Sequence, residues 1–224
     1  MDMESNEISA KERRPYRLKE RARRQEATRR RITEAALELH RTVGPARTTV
    51  MDVARRAGVG RMTVYNHFPT DAELIQACSG HWAAEHPLPD IGAWTAMDDP
   101  DERLTRALAE LYGWYREGAD MMGNVLRDAP LVPALGAVMD ARWWPAVEAM
   151  VQVLAAGRTA EAGRAERVRA VLRVALDLGT WRALTRSGLD DEEAAALAAG
   201  FVASAEAAPI SGASAGPPAT DGSS

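Results

Sequence analysis

The sequence has few of the residues that mark secreted, membrane and metal-dependent proteins. It has a single cysteine, Cys78, which excludes an internal disulfide and any metal site built from several cysteines. The helical context of Cys78 favours a small buried side chain over a reactive thiol. No run of about 18 uncharged apolar residues occurs, and the first residues are charged rather than apolar. We therefore expect no membrane span and no secretory signal, and a cytoplasmic location.

Catalytic motifs are also missing. The chain has four histidines, and it contains no glycine-rich phosphate loop, nucleophile elbow or His-Glu metal motif. His81 and Glu85 are four residues apart and could chelate a cation, although an exposed helical pair explains them more simply. We therefore expect no enzyme activity, no metal and no cofactor.

What the chain does have is a strong division of charge. Residues 11–61 contain 16 basic and 6 acidic residues, a net charge of +10, whereas the remainder contains 12 and 26, a net charge of −14. A basic segment attached to an acidic body is typical of a polyanion-binding module. A solvated run of charge is the alternative, and charge alone does not decide between them.

Apolar residues recur at spacings of three and four with almost no regular alternation, which predicts an all-α fold. The first helix should end at Gly44-Pro45, and the second should run from a Thr49 cap to Gly58. A third short helix is predicted at Arg61–His67, and a fourth from Thr70 to Glu85. Further helices are expected at about 100–117, 119–128, 133–156 (kinked at Pro145), 160–187 and 190–207.

The second and third helices raise the question of what the polar side chains after Gly60 face. Two helices of about eight residues, joined by a short glycine-containing turn, match a helix-turn-helix whose second helix enters the DNA major groove. With Val64 directed at the core, Met62 and Asn66 point nearly opposite to it. We therefore predict that this outer surface faces DNA.

The chemistry of these side chains suits contacts with both the base edges and the phosphate backbone of a DNA duplex. Arg61 can pair with guanine and Asn66 with adenine, while Met62 and the Thr63 methyl can pack on thymine methyls. The donors suited to phosphate oxygens are carried by five further residues: Arg47, Thr48, Thr49, Tyr65 and His67. Helical hairpins of this spacing also occur in ordinary bundles, so geometry by itself leaves that alternative open.

The segment "TTVMDVARRAGVGRMTVYNHFPTDAEL" resembles the signature of the tetracycline-repressor (TetR) family of transcriptional regulators, and the similarity extends over residues 28 to about 78. The resemblance implies base-facing roles for Arg61, Met62, Thr63 and Asn66. It implies backbone-facing roles for Thr49, Tyr65 and His67. Two residues depart from the family pattern: Gly60 replaces a common serine, and Asp71 replaces a common lysine that reaches phosphate.

The predicted organisation is a basic flexible arm (1–24), a helix-turn-helix domain (25–70), a helical effector-binding and dimerisation domain (71–207) and a disordered tail (208–224). The arm is longer and more basic than the family's usual leader. Its arginines could enter a narrow minor groove of DNA, and a merely solubilising tail is an equal alternative.

The acidic body should pair two subunits, because one half-site gives limited affinity. Apolar stripes and small residues in the last two predicted helices fit a symmetric four-helix interface, with an intrachain core as the alternative. The residues assigned to this interface are Leu172, Leu176, Gly179, Leu197 and Phe201.

Aromatic and thioether side chains gather in the middle helices. Ordinary core is the simpler explanation of them, but the resemblance implies a pocket here for a small apolar or aromatic effector. The residues assigned to that pocket are Trp94, Trp114, Tyr115, Met121, Met122, Trp143 and Trp144. The predicted protein is thus a homodimeric repressor, released from a palindromic DNA operator by its effector. Effector-independent, architectural DNA binding is the alternative.

Overall fold

The computed structural model describes residues 4–159 and 161–209, with side chains from Lys19 onward. Within these ranges the chain forms helices and turns and no strand, which confirms the predicted all-α class. The helices are α1 (Glu4–Thr42), α2 (Val50–Ala57), α3 (Arg61–His67), α4 (Asp71–Glu85), α5 (Ile91–Thr95), α6 (Pro100–Asp128), α7 (Pro133–Val138), α8 (Trp144–Ala155), α9 (Ala162–Ala175), α10 (Leu178–Arg186) and α11 (Asp191–Ala207). None of these helices is both long enough and apolar enough to cross a bilayer.

The chain divides into two compact units. Unit 1 comprises residues 1–88 and 117–144, and unit 2 comprises residues 89–116 and 145–224. Helix α6 therefore contributes its first half to unit 2 and its second half to unit 1. The tail assigned to residues 208–224 lies, from residue 210 onward, outside the described residues.

The core of unit 1 joins α1 to the three short helices that follow it. Its buried side chains come from α1, α2, α3 with the residue after it, and α4: Ile32, Ala35, Ala36, Val53, Ala54, Ala57, Val64, Phe68, Leu74 and Cys78. Cys78 is packed as a small apolar residue, and burial raises the pKa of its thiol to about 12. This agrees with the structural role inferred for it.

Helix α6 is continuous where two helices were predicted. The two predicted helices met at position 118, but Gly118 lies inside the helix and is buried. A Cβ atom at Gly118 would stand 3.1 Å from the Trp82 ring. This glycine therefore permits the close approach of an aromatic ring, a tertiary reason that helix-ending patterns do not reveal.

Two other predicted helices are interrupted. The segment 133–156 contains a π-helical turn at Met139–Trp143, directly before Pro145, whose missing N–H cannot continue the hydrogen-bond ladder. The segment 160–187 divides between α9 and α10. Asp177 caps α10 by accepting a hydrogen bond from the Gly179 amide at 2.7 Å.

Two tyrosines of α6 form hydrogen bonds with the chain at the break between α9 and α10. The hydroxyl of Tyr112 donates to the Ala175 carbonyl at 2.8 Å, and that of Tyr115 donates to the Leu176 carbonyl at 2.6 Å. Both hydroxyls are buried, and burial raises their pKa values well above the ordinary range. These tyrosines satisfy carbonyls that a continuous helix would have paired internally.

Candidate nucleic-acid interface

Helix α2 owes its start and end to local sequence. The Thr49 hydroxyl accepts from the Asp52 amide at 3.2 Å, and the Asp52 carboxylate accepts from the Thr49 amide at 3.3 Å, a complete capping box. At the other end Gly58 has φ 63°, a left-handed conformation that glycine adopts without strain. The turn that follows fixes where α3 begins, so these few residues set the direction of the second helix.

Helix α3 buries one side chain and presents the others outward. Val64 is buried within it, and Phe68, the residue after its last turn, is buried beside it. Met62 on the opposite side is 69% exposed, although exposure of an apolar side chain to water is energetically unfavourable. The structure thus has the orientation predicted from periodicity: the polar residues of α3 are not enclosed by the chain.

The four candidate base-contacting residues all lie on this outer side. Arg61, Met62 and Asn66 are exposed, and Thr63 is half-buried. The Arg61 guanidinium donates to the Tyr65 hydroxyl at 3.2 Å and lies 5.4 Å from the centre of the Tyr65 ring. In the free protein this arginine is therefore directed along the helix by the tyrosine one turn later.

The candidate backbone-contacting residues are arranged around the start of α2 and along α3. Arg47 and Thr49 are exposed, and Thr48, Tyr65 and His67 are half-buried. The Thr48 hydroxyl donates to the Gly44 carbonyl at 2.9 Å, and the Thr49 hydroxyl donates to the Asp52 carboxylate at 2.5 Å. Both protons are engaged inside the chain, so donation by these two hydroxyls to phosphate requires a rearrangement; their role stays a prediction.

Arg29 is a residue of the interface that sequence analysis missed. Its guanidinium donates to the carbonyl of His67, the last residue of α3, at 2.6 Å. It also lies 4.1 Å from the centre of the Phe68 ring. Since the last carbonyls of a helix lack intrahelical partners, Arg29 caps the C-terminal end of α3 and fixes α1 beside it. The available signal was its place one turn before Ile32, on the buried side of α1.

A second missed feature holds the connection between α1 and α2. The buried Asp128 carboxylate accepts from the Ala46 amide at 3.0 Å and from the Arg127 guanidinium at 2.7 Å. Arg127 and the Ala46 amide hold the pKa of Asp128 below its usual range. Gly44 adopts φ 99° here, and a Cβ atom on it would collide with both side chains. No sequence motif links residues so distant along the chain.

The same region contains a buried histidine. The Asn124 amide donates to the His40 carbonyl at 3.1 Å, near the end of α1. Burial lowers the pKa of the His40 ring to about 4, although the charge of Asp128 opposes that shift. His40 is therefore neutral at physiological pH.

The arm was expected to be flexible at first and helical toward residue 24, and the structure is already helical from Glu4. Helix α1 continues without interruption into the core of unit 1. Arginine and glutamate, the commonest residues of this segment, are good helix formers, and this explains the extension. A helix about 10–12 Å wide does not itself fit a minor groove about 6 Å wide, and entry of its arginine side chains into such a groove stays a prediction.

The residues assigned to an effector pocket belong to both units. Trp94, Trp114 and Tyr115 are buried in unit 2, where the Trp94 indole donates to Glu110 at 2.7 Å. Met121, Met122 and Trp143 are buried in unit 1, whereas Trp144 is 47% exposed. Most of this set therefore has packing roles within its own unit, and its contact with an effector remains a prediction.

The residues assigned to a dimer interface separate into two classes. Leu172 and Leu176 are fully buried, so they belong to the core of their own chain. The predicted stripe assumed one continuous helix, and the break between α9 and α10 removes that alignment. Leu197 and Phe201 lie one turn apart on α11 and are 45% and 38% exposed. Gly179 is exposed as well.

Comparison with known proteins supports the helix-turn-helix interpretation. Residues 32–78 match the family model described as bacterial regulatory proteins, tetR family. The HTH-type transcriptional regulator SrpR of Pseudomonas putida is 40% identical over 80 residues, which cover 32% of this chain and 37% of that protein. The chain thus spans little more than a third of the length of this curated relative.

Solved structures extend the likeness to the fold. A TetR-like transcriptional regulator from Rhodococcus sp. RHA1 has a TM-score of 0.55 at 18% identity, covering 79% of this chain and 94% of that one. The structure described as a SmeT-triclosan complex has a TM-score of 0.55 at 22% identity, covering 80% and 91%. The matched segment contains α2, α3 and the first half of α4, and its flanks share the same helical fold. Residues 32–78 of the chain thus contain a domain that matches the tetR family of bacterial regulatory proteins.

Proposed function

We propose that this protein is a cytoplasmic, sequence-specific DNA-binding transcriptional regulator that reads its operator with α3. The observation that carries the proposal is the exposed outer side of α3, where Arg61, Met62 and Asn66 point away from a fixed core. Arg61 and Asn66 supply the fork-shaped donors and acceptors that pair with purine edges in the major groove. The assignment gives the chain no catalytic residue.

The regulator binds as a homodimer in this proposal. Two recognition helices about 34–36 Å apart match successive major grooves on one side of the duplex, which a single α3 cannot do. The surface proposed for pairing is the exposed apolar part of α9 and α11, formed by Val174, Leu197 and Phe201. The opposite side of α11 buries only alanines and Val202, so this helix packs closely on its own chain while its larger apolar groups face outward.

The regulator acts as a repressor that a small apolar or aromatic effector releases from DNA. The related structure with triclosan suggests the class of ligand, a compact aromatic molecule. Such a ligand releases DNA only if it binds more tightly to a conformation whose recognition helices are wrongly spaced. The candidate contacts are the buried aromatic and methionine side chains described above, considered separately in each unit.

Selection of bound duplexes from a random pool tests the DNA-binding function. We expect enrichment of an inverted repeat with half-site centres about 10 base pairs, or a multiple of one helical turn, apart. Binding without a preferred sequence would contradict the proposal and favour an architectural protein. A screen for compounds that weaken binding to the selected duplex then tests the effector, because an effector-independent regulator would give none.

The dimer surface has its own test. Phe201→Glu places a charge in the proposed interface and should convert the protein to monomers in sedimentation velocity. Leu131→Glu is the matched control, since Leu131 is an apolar residue that is 70% exposed in unit 1. A Phe201→Glu protein that sediments like the wild type would rule out this surface.

A further inference from the structure

Part of α1 extends beyond the core of unit 1. Residues 21–27 are all exposed, and among residues 19–42 of this helix Ile32 is the first buried apolar residue. A helix whose sides are all polar gains no packing energy from its own chain. We call residues 19–27 of α1 the arm helix, and the exposure of Arg21, Arg23 and Arg24 leaves their charges available to a partner.

The base of the arm helix is fixed beside the recognition helix. Arg29, at the junction of arm and core, holds the His67 carbonyl at 2.6 Å and the Phe68 ring at 4.1 Å. From this point the ten residues back to Lys19 extend about 15 Å at 1.5 Å per residue. That length corresponds to four or five base-pair steps at about 3.4 Å each. The arm helix therefore starts at the C-terminal end of α3 and leads away from it.

The charge of the described part of the arm helix and its junction is strongly positive. Residues 19–31 contain seven lysines and arginines and two glutamates, a net charge of +5. Glu20 lies 3.5 Å from Arg24, an exposed pair that is weak in water. Two carboxylates cannot neutralise seven cations, so most of this charge is uncompensated within the segment.

We propose that the arm helix binds the phosphate backbone of DNA flanking the half-site that α3 reads. This inference rests on the proposed function, and it adds a second contact region outside the recognised bases. Two observations favour duplex DNA as the partner: the charge complementarity, and the continuity with α3 through Arg29. The helix itself is too wide for the minor groove, which favours phosphate contacts for its arginines; such contacts add affinity without adding sequence preference.

The test compares two duplexes that carry the selected operator, one trimmed to the inverted repeat and one extended by ten base pairs at each end. The variant Arg21→Gln/Arg23→Gln removes two exposed charges per subunit while keeping good helix formers. The control Arg142→Gln/Arg186→Gln removes the same charge from exposed residues elsewhere in the chain. Circular dichroism verifies that each variant retains its helix content.

We expect the wild type and the control to bind the extended duplex more tightly than the trimmed one. The arm variant should lose this difference, and its plot of log K against log salt on the extended duplex should flatten by up to about 3.6 for four lost contacts in a dimer. Equal flank dependence in all three proteins would overturn the arm proposal. The selected sequence would still stand, so failure of the arm is distinguishable from failure of the proposed function. Arm-dependent binding to anionic vesicles without a flank effect would equally overturn it.

Discussion

Exposed arginines of unit 1 and buried arginines of unit 2 illustrate two different uses of the same side chain. In unit 1, Arg61, Arg21 and Arg23 are exposed. In unit 2, Arg103 is buried and donates at 2.9 Å to the carbonyls of Val153 and Ala156. Arg158, whose side chain is 1% exposed, lies between Asp101 and Glu206. The comparison teaches that the number of arginines says little about function, whereas their exposure and partners separate structural residues from candidates for DNA binding.

The physical reason is the cost of burying charge. A guanidinium withdrawn from water must have its donors satisfied, and the carbonyls at the end of α8 and in the turn before α6 do this for Arg103. An arginine that binds DNA must instead keep its N–H donors exposed to water in the free protein, so that phosphate oxygens or base edges can replace that water on binding. The following predictions, ordered by expected effect, test this division.

The largest effect should follow from Arg103→Met. The substitution preserves much of the apolar volume but leaves the carbonyls of Met97, Val153 and Ala156 without their donor. At about 1–3 kcal/mol for each unsatisfied group, the free energy of unfolding should fall by about 3 kcal/mol or more in urea titrations. Arg106→Met, one turn later and exposed, is the control and should change it by less than about 1 kcal/mol. Equal losses of unfolding free energy in Arg103→Met and Arg106→Met would contradict the distinction between buried and exposed arginines.

The second effect is a loss of stability in acid, and it tests whether the buried His40 ring is neutral in the folded protein. The pKa of His40 is about 4 in the folded protein, below its ordinary 6.5, so between these values the unfolded chain binds a proton that the folded one does not. The free energy of unfolding should therefore decrease as pH falls from about 6.5 to 4, by about 3 kcal/mol at 1.36 kcal/mol per pH unit. Asp128, whose pKa is also lowered, adds its own loss only below about 3.8.

The free energy of unfolding, measured across this pH range in the wild type and in His40→Gln, separates the contribution of His40 from that of Asp128. The free energy of unfolding of the variant should depend less on pH between 6.5 and 4. The decrease assigned to Asp128 at lower pH should remain. Parallel curves for the two proteins would mean that His40 does not titrate as its burial implies.

The third effect is on recognition rather than stability. Arg61→Ala should reduce discrimination at one base pair of each half-site by about 1–3 kcal/mol. Its free energy of unfolding should stay within about 0.5 kcal/mol of wild type, because the side chain is exposed. Competition binding with single-base variants of the selected duplex measures the first quantity, and Arg186→Ala is an exposed control. Unchanged sequence preference would remove Arg61 from the base-contacting set.

The smallest effect should come from Gly60→Ser, at the N-terminus of α3. Gly60 has φ −74° and no close neighbour except Thr63 Oγ1 at 3.8 Å from an added Cβ, so serine fits without strain. A serine cap should raise the free energy of unfolding by a few tenths of a kcal/mol, and its hydroxyl should strengthen DNA binding. Calorimetry and binding titration provide the two measurements. Weaker binding would show that this position does not face phosphate.

The N-terminal helices were predicted well because their signals are local. The Thr49 cap, the Gly58 turn and the positions of Val64 and Phe68 lie within about twenty residues, and the predicted bounds of α3 are confirmed. The long helices were predicted less well. The segment 100–128 was predicted as two helices that leave out residue 118, although Gly118 lies inside one helix and admits the Trp82 ring.

What the sequence by itself determined is the all-α class, the helix-turn-helix and the charge division, because capping, periodicity and charge act over a few residues. Tertiary structure alone decided that Arg29 caps α3, that Asp128 holds the α1–α2 connection and that Tyr112 and Tyr115 stabilise a helix break. Each of these contacts joins residues 38 or more positions apart in the sequence. Polar groups so far apart pair only when folding brings them together out of water, and no local pattern encodes which partner they will meet.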